Sequence, residues 1–195
     1  INIGAVYTLG RTLHGDAYKY HQTGAESNGS IYVQSQTGDT IPNPFKMPHT
    51  FGIGLTYVYD NRLTIGVDYT LQKWNTADLA WSKFNKESVE MNSRTKIAFG
   101  AEFVPSYISH NYLKRIRYRM GAYYSSPYNK VSYTSPDTGT TSFQDGAREY
   151  GVSIGFGLPM FQSKSMLNIS GQYIKVSPKF KGLMEENYLR INIGL

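Results

Sequence analysis

Residues 63–72, Leu-Thr-Ile-Gly-Val-Asp-Tyr-Thr-Leu-Gln, alternate apolar and polar side chains without a break. Successive side chains of a β-strand point to opposite faces. Leu63, Ile65, Val67, Tyr69 and Leu71 therefore share one face, and Thr64, Gly66, Asp68, Thr70 and Gln72 share the other. Strands in soluble proteins usually need only about five or six residues. Segments of about ten alternating residues, repeated along a chain, are the signature of a transmembrane β-barrel. Such a barrel turns its apolar side chains to lipid and its polar ones to the lumen, where function is then expected.

Five stretches of the chain hold such alternation for nine or more positions. Strands are predicted over about 1–12, 49–59, 62–74, 94–104, 114–126, 147–158, 165–177 and 187–195. The connections alternate in length. Asp60-Asn61 is a tight-turn pair of the kind hairpins prefer, 159–164 is short and 105–113 is intermediate. Residues 13–48, 75–93, 127–146 and 178–186 are long and hold most of the Ser, Thr, Asn, Asp and Pro outside the strands. Short periplasmic turns and long extracellular loops are usual in outer-membrane barrels. The first strand is thus expected to run outward and the last to end at the periplasm. Residues 13–48, with Ile31 and Val33, are expected to continue as a hairpin above the membrane. The expected fold is all-β, an antiparallel transmembrane β-barrel with about eight long strands visible.

Composition leaves this reading standing. Mean hydropathy is −0.42, which weighs little because only every second barrel residue meets lipid. No run of about 18 apolar residues offers a transmembrane helix. Seventeen of the 195 residues are Tyr, a residue suited to membrane–water interfaces. A Tyr-rich soluble β-sandwich is the alternative. With no Cys, disulfides and thiol catalysis are excluded. The net charge of +6 is scattered, with no compact basic run, so no nucleic-acid partner is expected. Residue 1 is Ile, within an alternating segment, and no signal peptide is visible.

The lumen-facing parity collects Asp68, Gln72, Lys96, Glu102, Arg117, Arg119, Glu149 and Arg190. These can line a permeation path or ligand site, or they can pair across strands and stiffen the wall, since barrel interiors are normally polar. Glycines 52, 54, 66, 100, 121, 151, 155, 157 and 194 fall on the same parity. They can make room for a plug or substrate, or permit bends and close packing. Trp74, Trp81, Tyr123 and Tyr124 fall near predicted outer strand ends or loops, as an aromatic girdle or a capture site for an apolar ligand. Catalysis is not expected. His14, His21, His49 and His110 have no metal-binding spacing, and the pair His14 and Asp16 is of a kind common by chance. The Gly52-Ile53-Gly54 and Gly155-Phe156-Gly157 runs lie inside strands, with no following helix to hold a phosphate. No cofactor or metal is called for.

Several stretches resemble a known family: Met47-Pro48 with Phe51-Gly52-Ile53-Gly54-Leu55-Thr56-Tyr57, then 66–74, 115–124, 148–159 and 186–195. Together they resemble the C-terminal half of FadL-type outer-membrane barrels, the long-chain fatty-acid transporters. The resemblance covers nearly the whole chain. It implies a barrel of about fourteen strands of which this chain is the C-terminal portion, in the outer membrane of a Gram-negative bacterium. The function it implies is passive transport of fatty-acid-like hydrophobic molecules, with membrane lipids and a hydrophobic small molecule as partners. The family's N-terminal plug has no counterpart here, so no ligand residue carries over. Two other readings stand beside it: a structural scaffold barrel bound to other outer-membrane proteins, or a small eight-stranded anchor or adhesin.

Overall fold

The computed structural model describes residues 1–27, 30–76, 90–134, 139–160, 165–178 and 184–195. Eight strands form one sheet: β1 (Asn2–Thr8), β6 (Thr50–Tyr59), β7 (Leu63–Gln72), β8 (Arg94–Phe103), β9 (Arg117–Ser125), β12 (Ala147–Pro159), β13 (Met166–Pro178) and β14 (Glu186–Gly194). They lie side by side in that order, and every neighbouring pair is antiparallel. Six further strands stand outside the sheet as paired ladders. They are β2 (Arg11–Leu13) with β5 (Phe45–Met47), β3 (Asp16–Ser27) with β4 (Ser30–Pro42), and β10 (Lys130–Thr134) with β11 (Thr141–Asp145).

The register keeps the period-two pattern aligned across strands. Tyr57, Ile65, Ala101, Met120, Ile154 and Gly171 form one cross-strand row, and Leu63, Phe103, Tyr118, Phe156 and Ile169 another. These rows share one apolar face. On the opposite face Thr56, Gly66, Gly100, Gly121, Ser153, Gln172 and Arg190 make a polar row. A one-residue slip anywhere would exchange the two faces, so the alternation itself holds the register.

Exposure separates the faces in the sense opposite to a soluble protein. On β12, Val152 and Ile154 are 55% and 57% exposed while Gly151, Gly155 and Gly157 are buried. Ile53, Phe99, Met120 and Ile191 are exposed too. The fully or nearly buried apolar side chains among the described residues are Ile41, Val104, Ile116 and Ile174. A β-sandwich would cover its apolar face with a second sheet. Here the remaining ladders are two-stranded and leave that face uncovered. A contiguous apolar surface of this extent needs a non-aqueous neighbour.

Strand connections differ sharply between the two ends. At one end Asp60 and Asn61 turn β6 into β7 with φ of 51° and 49°, and Arg62 N–H donates to the Tyr59 carbonyl at 3.0 Å. Two consecutive positive φ values are what a type I′ turn demands, and Asn and Asp tolerate them. The ladders β2–β5, β3–β4 and β10–β11 all emerge at the other end. Residues 13–48 thus contain the expected hairpin, with Asn43 N–H closing onto the Gly15 carbonyl at its base. The sheet has eight strands rather than fourteen, and its edges β1 and β14 are not paired with each other.

Candidate functional site

The polar face carries two side-chain clusters, separated by the row of small residues Gly66, Gly100, Gly121 and Ser153. The first is centred on Glu102 of β8. Its carboxylate accepts from Arg119 Nε at 2.6 Å and from Arg117 Nη1 at 3.3 Å. Arg117 and Arg119 are two apart on β9, so both side chains lie on one face beside Glu102. Arg119 Nη1 also donates to Asn168 Oδ1 at 2.8 Å. One guanidinium therefore ties β8 to β13 across β9 and β12, a task its fixed fork of donors suits.

The second cluster lies toward the hairpin end. Tyr123 Oη donates to Glu149 Oε1 at 2.5 Å. Glu149 also pairs with Arg94 at 3.7 Å, and Arg94 Nε donates to the buried Ser125 Oγ at 2.7 Å. Lys96 Nζ sits over the Tyr123 ring, 4.5 Å from its centroid, a cation–π position. Tyr123 lies flat across β12, and a Cβ on Gly151 would overlap its ring. Glycine is required there by close approach. The clusters contain Arg94, Lys96, Arg117 and Arg119 against Glu102 and Glu149, a positive balance held mostly by mutual pairing.

The other polar residues singled out from the sequence sit apart. Asp68 lies over Gly54, where an added Cβ would come within 2.5 Å of Oδ1. Arg190 stands opposite Gln172 on the edge strand β14. Gln72 Oε1 accepts from Trp74 Nε1 at 3.2 Å. Trp74 follows β7 in a 3-10 turn and faces Tyr128 at 5.8 Å. Tyr124 packs tilted against Tyr150 on the apolar face, ring centroids 5.2 Å apart, whereas its neighbour Tyr123 turns to the polar face. Trp81 lies outside the described residues. His49 Nδ1 is engaged with Tyr7 Oη at 2.7 Å. Sequence reasoning missed Arg94 and Asn168, although both carry the polar parity of Lys96 and Gln172.

This arrangement is a cross-braced polar wall. Among the described residues no group of three or more His, Cys, Asp or Glu could hold a metal ion. Among the described residues no helix is long and apolar enough to cross a membrane, which leaves crossing by strands unaffected.

Comparison with known proteins overturns part of the sequence reading. The family model described as BamG matches residues 1–195. No curated protein and no solved structure matches the chain. BamG is distinct from the FadL-type transporters. The resemblance to those transporters is therefore corrected, and passive transport of fatty-acid-like molecules falls with it. The repeated motifs that suggested it, aromatic-Gly alternation and basic-aromatic strands, express the demands of a two-faced sheet, which unrelated families share. Matched over all of residues 1–195, the chain belongs to the BamG family, which is associated with the bacterial machinery that assembles outer-membrane proteins.

Proposed function

We propose that this protein is a non-catalytic structural component of an outer-membrane protein assembly complex, in which its sheet is the membrane-spanning wall and its hairpins engage partner proteins. The observation that carries this reading is the family match over all of residues 1–195. The exposed apolar face supports a lipid neighbour for the wall. Backbone groups on the free edges of β1 and β14 would each cost several kcal/mol if left unpaired in lipid. In lipid the wall is therefore closed, its edge strands β1 and β14 being paired with each other or with a neighbouring strand. The inner clusters then brace the wall, as charge pairs do in barrel interiors.

The hairpin arm favours partner binding over an anchor role alone. Tyr18 and Tyr20 on β3 lie opposite Thr40 and Gly38 on β4, with Gln22 bonded to Gln36 on the same face. Both tyrosines are strongly exposed, and Tyr is enriched where proteins bind one another. The test is affinity purification of the tagged intact protein from its own outer membrane in mild detergent. Components of the outer-membrane assembly machinery are expected to co-purify in fixed proportion. Elution without them would overturn the proposal. Replacing residues 16–42 by a short Gly-Ser linker is expected to leave the protein in the membrane and weaken that co-purification.

A further inference from the structure

We propose that the apolar face carries a binding site for one anionic glycerophospholipid, at the end of the sheet where the connections are short. The inference rests on the membrane placement proposed above. A groove of about 360 Å³ opens there between β7, β8, β9 and β12, and its lining is almost wholly apolar. Its floor is Ala101, set among Leu63, Phe103, Tyr118, Met120 and Phe156. Ala101 is flanked in its cross-strand row by Ile65 and Met120, so one small side chain leaves a slot in a wall of large ones. Lipid acyl chains contact the whole apolar face. A slot differs because it holds one chain on several sides.

The rim beside this slot supplies a matching headgroup environment. The β8–β9 connection, 104–116, is bound to the β6–β7 turn: Val104 N–H donates to the Arg62 carbonyl at 2.8 Å and Tyr107 Oη to the Asn61 carbonyl at 2.7 Å. The slot is tied to the same connection, because Tyr118 Oη donates to the Leu113 carbonyl at 3.0 Å. Leu63 of the slot follows Arg62 directly, and Lys114 follows Leu113. The connection contains Lys114 and Arg115 and no acidic residue. Lys114 is exposed; Arg62 is exposed as well and pairs with Asp60 at 3.3 Å. Ile108 and Leu113 are 93% and 62% exposed on this same connection. Exposed apolar side chains beside cations are the composition of a segment lying at an anionic membrane surface. Slot, apolar loop and cations therefore gather at one end of the sheet, as the tail, interface and headgroup of a single lipid require.

The test uses the intact protein reconstituted in vesicles of phosphatidylethanolamine with a minor fraction of phosphatidylglycerol. It is then released into mild detergent and weighed by native mass spectrometry. The wild type is expected to retain one phosphatidylglycerol in preference to phosphatidylethanolamine. Ala101→Phe fills the slot and is expected to abolish that retention. Lys114→Glu reverses one rim charge and is expected to weaken it about fivefold or more, the factor for one cation at an anionic surface. Equal retention of both lipids, or retention unchanged by Ala101→Phe, would mean ordinary annular lipid and would overturn the proposal. So would loss of a protein subunit instead of a lipid in Ala101→Phe. Heat-shifted migration on gels reports insertion separately: if the wild type fails to insert, the membrane reading itself is overturned.

Discussion

Glu102 is the side chain on which most of the polar face depends. Two guanidiniums converge on it, and its removal would leave Arg117 and Arg119 facing each other. The three groups are about a third exposed, so water screens part of the effect. Glu102→Ala is expected to lower stability by about 1–2 kcal/mol, below the loss for a fully buried pair, read by denaturant unfolding in detergent. Tyr123→Phe removes one charge-assisted hydrogen bond and is expected to cost about 1 kcal/mol. Gly151→Val collides with the Tyr123 ring and is expected to cost about 1–3 kcal/mol. In Tyr123→Ala, which clears the ring, the additional cost of Gly151→Val should largely vanish. At this scale the sequence was only partly legible. Parity placed Glu102, Arg117 and Arg119 on one face, but pairing depends on register between strands far apart in sequence. Asn168 joined the cluster only once β13 was set three strands from β8, across β9 and β12. Tyr123 shows the limit of reading residues by type. Next to Tyr124 it invites assignment to an aromatic ring, while strict alternation turns it to the polar face.

Whole strands were the most legible unit, because ten alternating residues leave little choice of conformation. The predicted segments at 49–59, 94–104 and 147–158 correspond to Thr50–Tyr59, Arg94–Phe103 and Ala147–Pro159. The first predicted strand, 1–12, is divided at Leu9 and Gly10 into β1 and β2. Gly10 N–H donates to His49 Nδ1 there, and an added Cβ would lie 2.9 Å from the Met47 carbonyl oxygen. The interruption arises from a long-range contact that no local pattern records. The two faces of one strand predict opposite responses to charge. Ile154→Arg on the apolar face is expected to cost about 2–4 kcal/mol if the position lies at mid-membrane. Thr64→Arg on the polar face, opposite Glu102, is expected to change stability by less than about 0.5 kcal/mol. Folding of both variants into vesicles, followed by denaturant titration, compares them directly.

For the molecule as a whole, the eight-stranded sheet is open at β1 and β14, and β1 carries none of the usual guards of a free edge. It has no charge, no proline and no register shift. Because lipid tolerates no unpaired edge, the protein extracted from its membrane is accordingly expected to show the heat-shifted migration of a closed barrel. A compact heat-sensitive band from residues 1–195 alone would show that β1 and β14 close on each other. Family membership was not legible at this scale, because alternation is a requirement of any two-faced membrane sheet and belongs to no family in particular. The unequal connections have a further consequence, for how the molecule enters a bilayer. Its long polar connections, including the β3–β4 arm, all leave from one end, while the opposite end is joined by a type I′ turn and two modest loops. Moving the arm through hydrocarbon would strip water from its backbone and from Lys19, Asp39 and Gln36, whereas the tight turn has little to strip. With the sheet placed across the membrane as proposed above, the molecule has a leading end that must be delivered across and a trailing end that stays on the side from which it inserts. On that placement insertion has one favoured direction, and the crossing of the arm is the step that costs most.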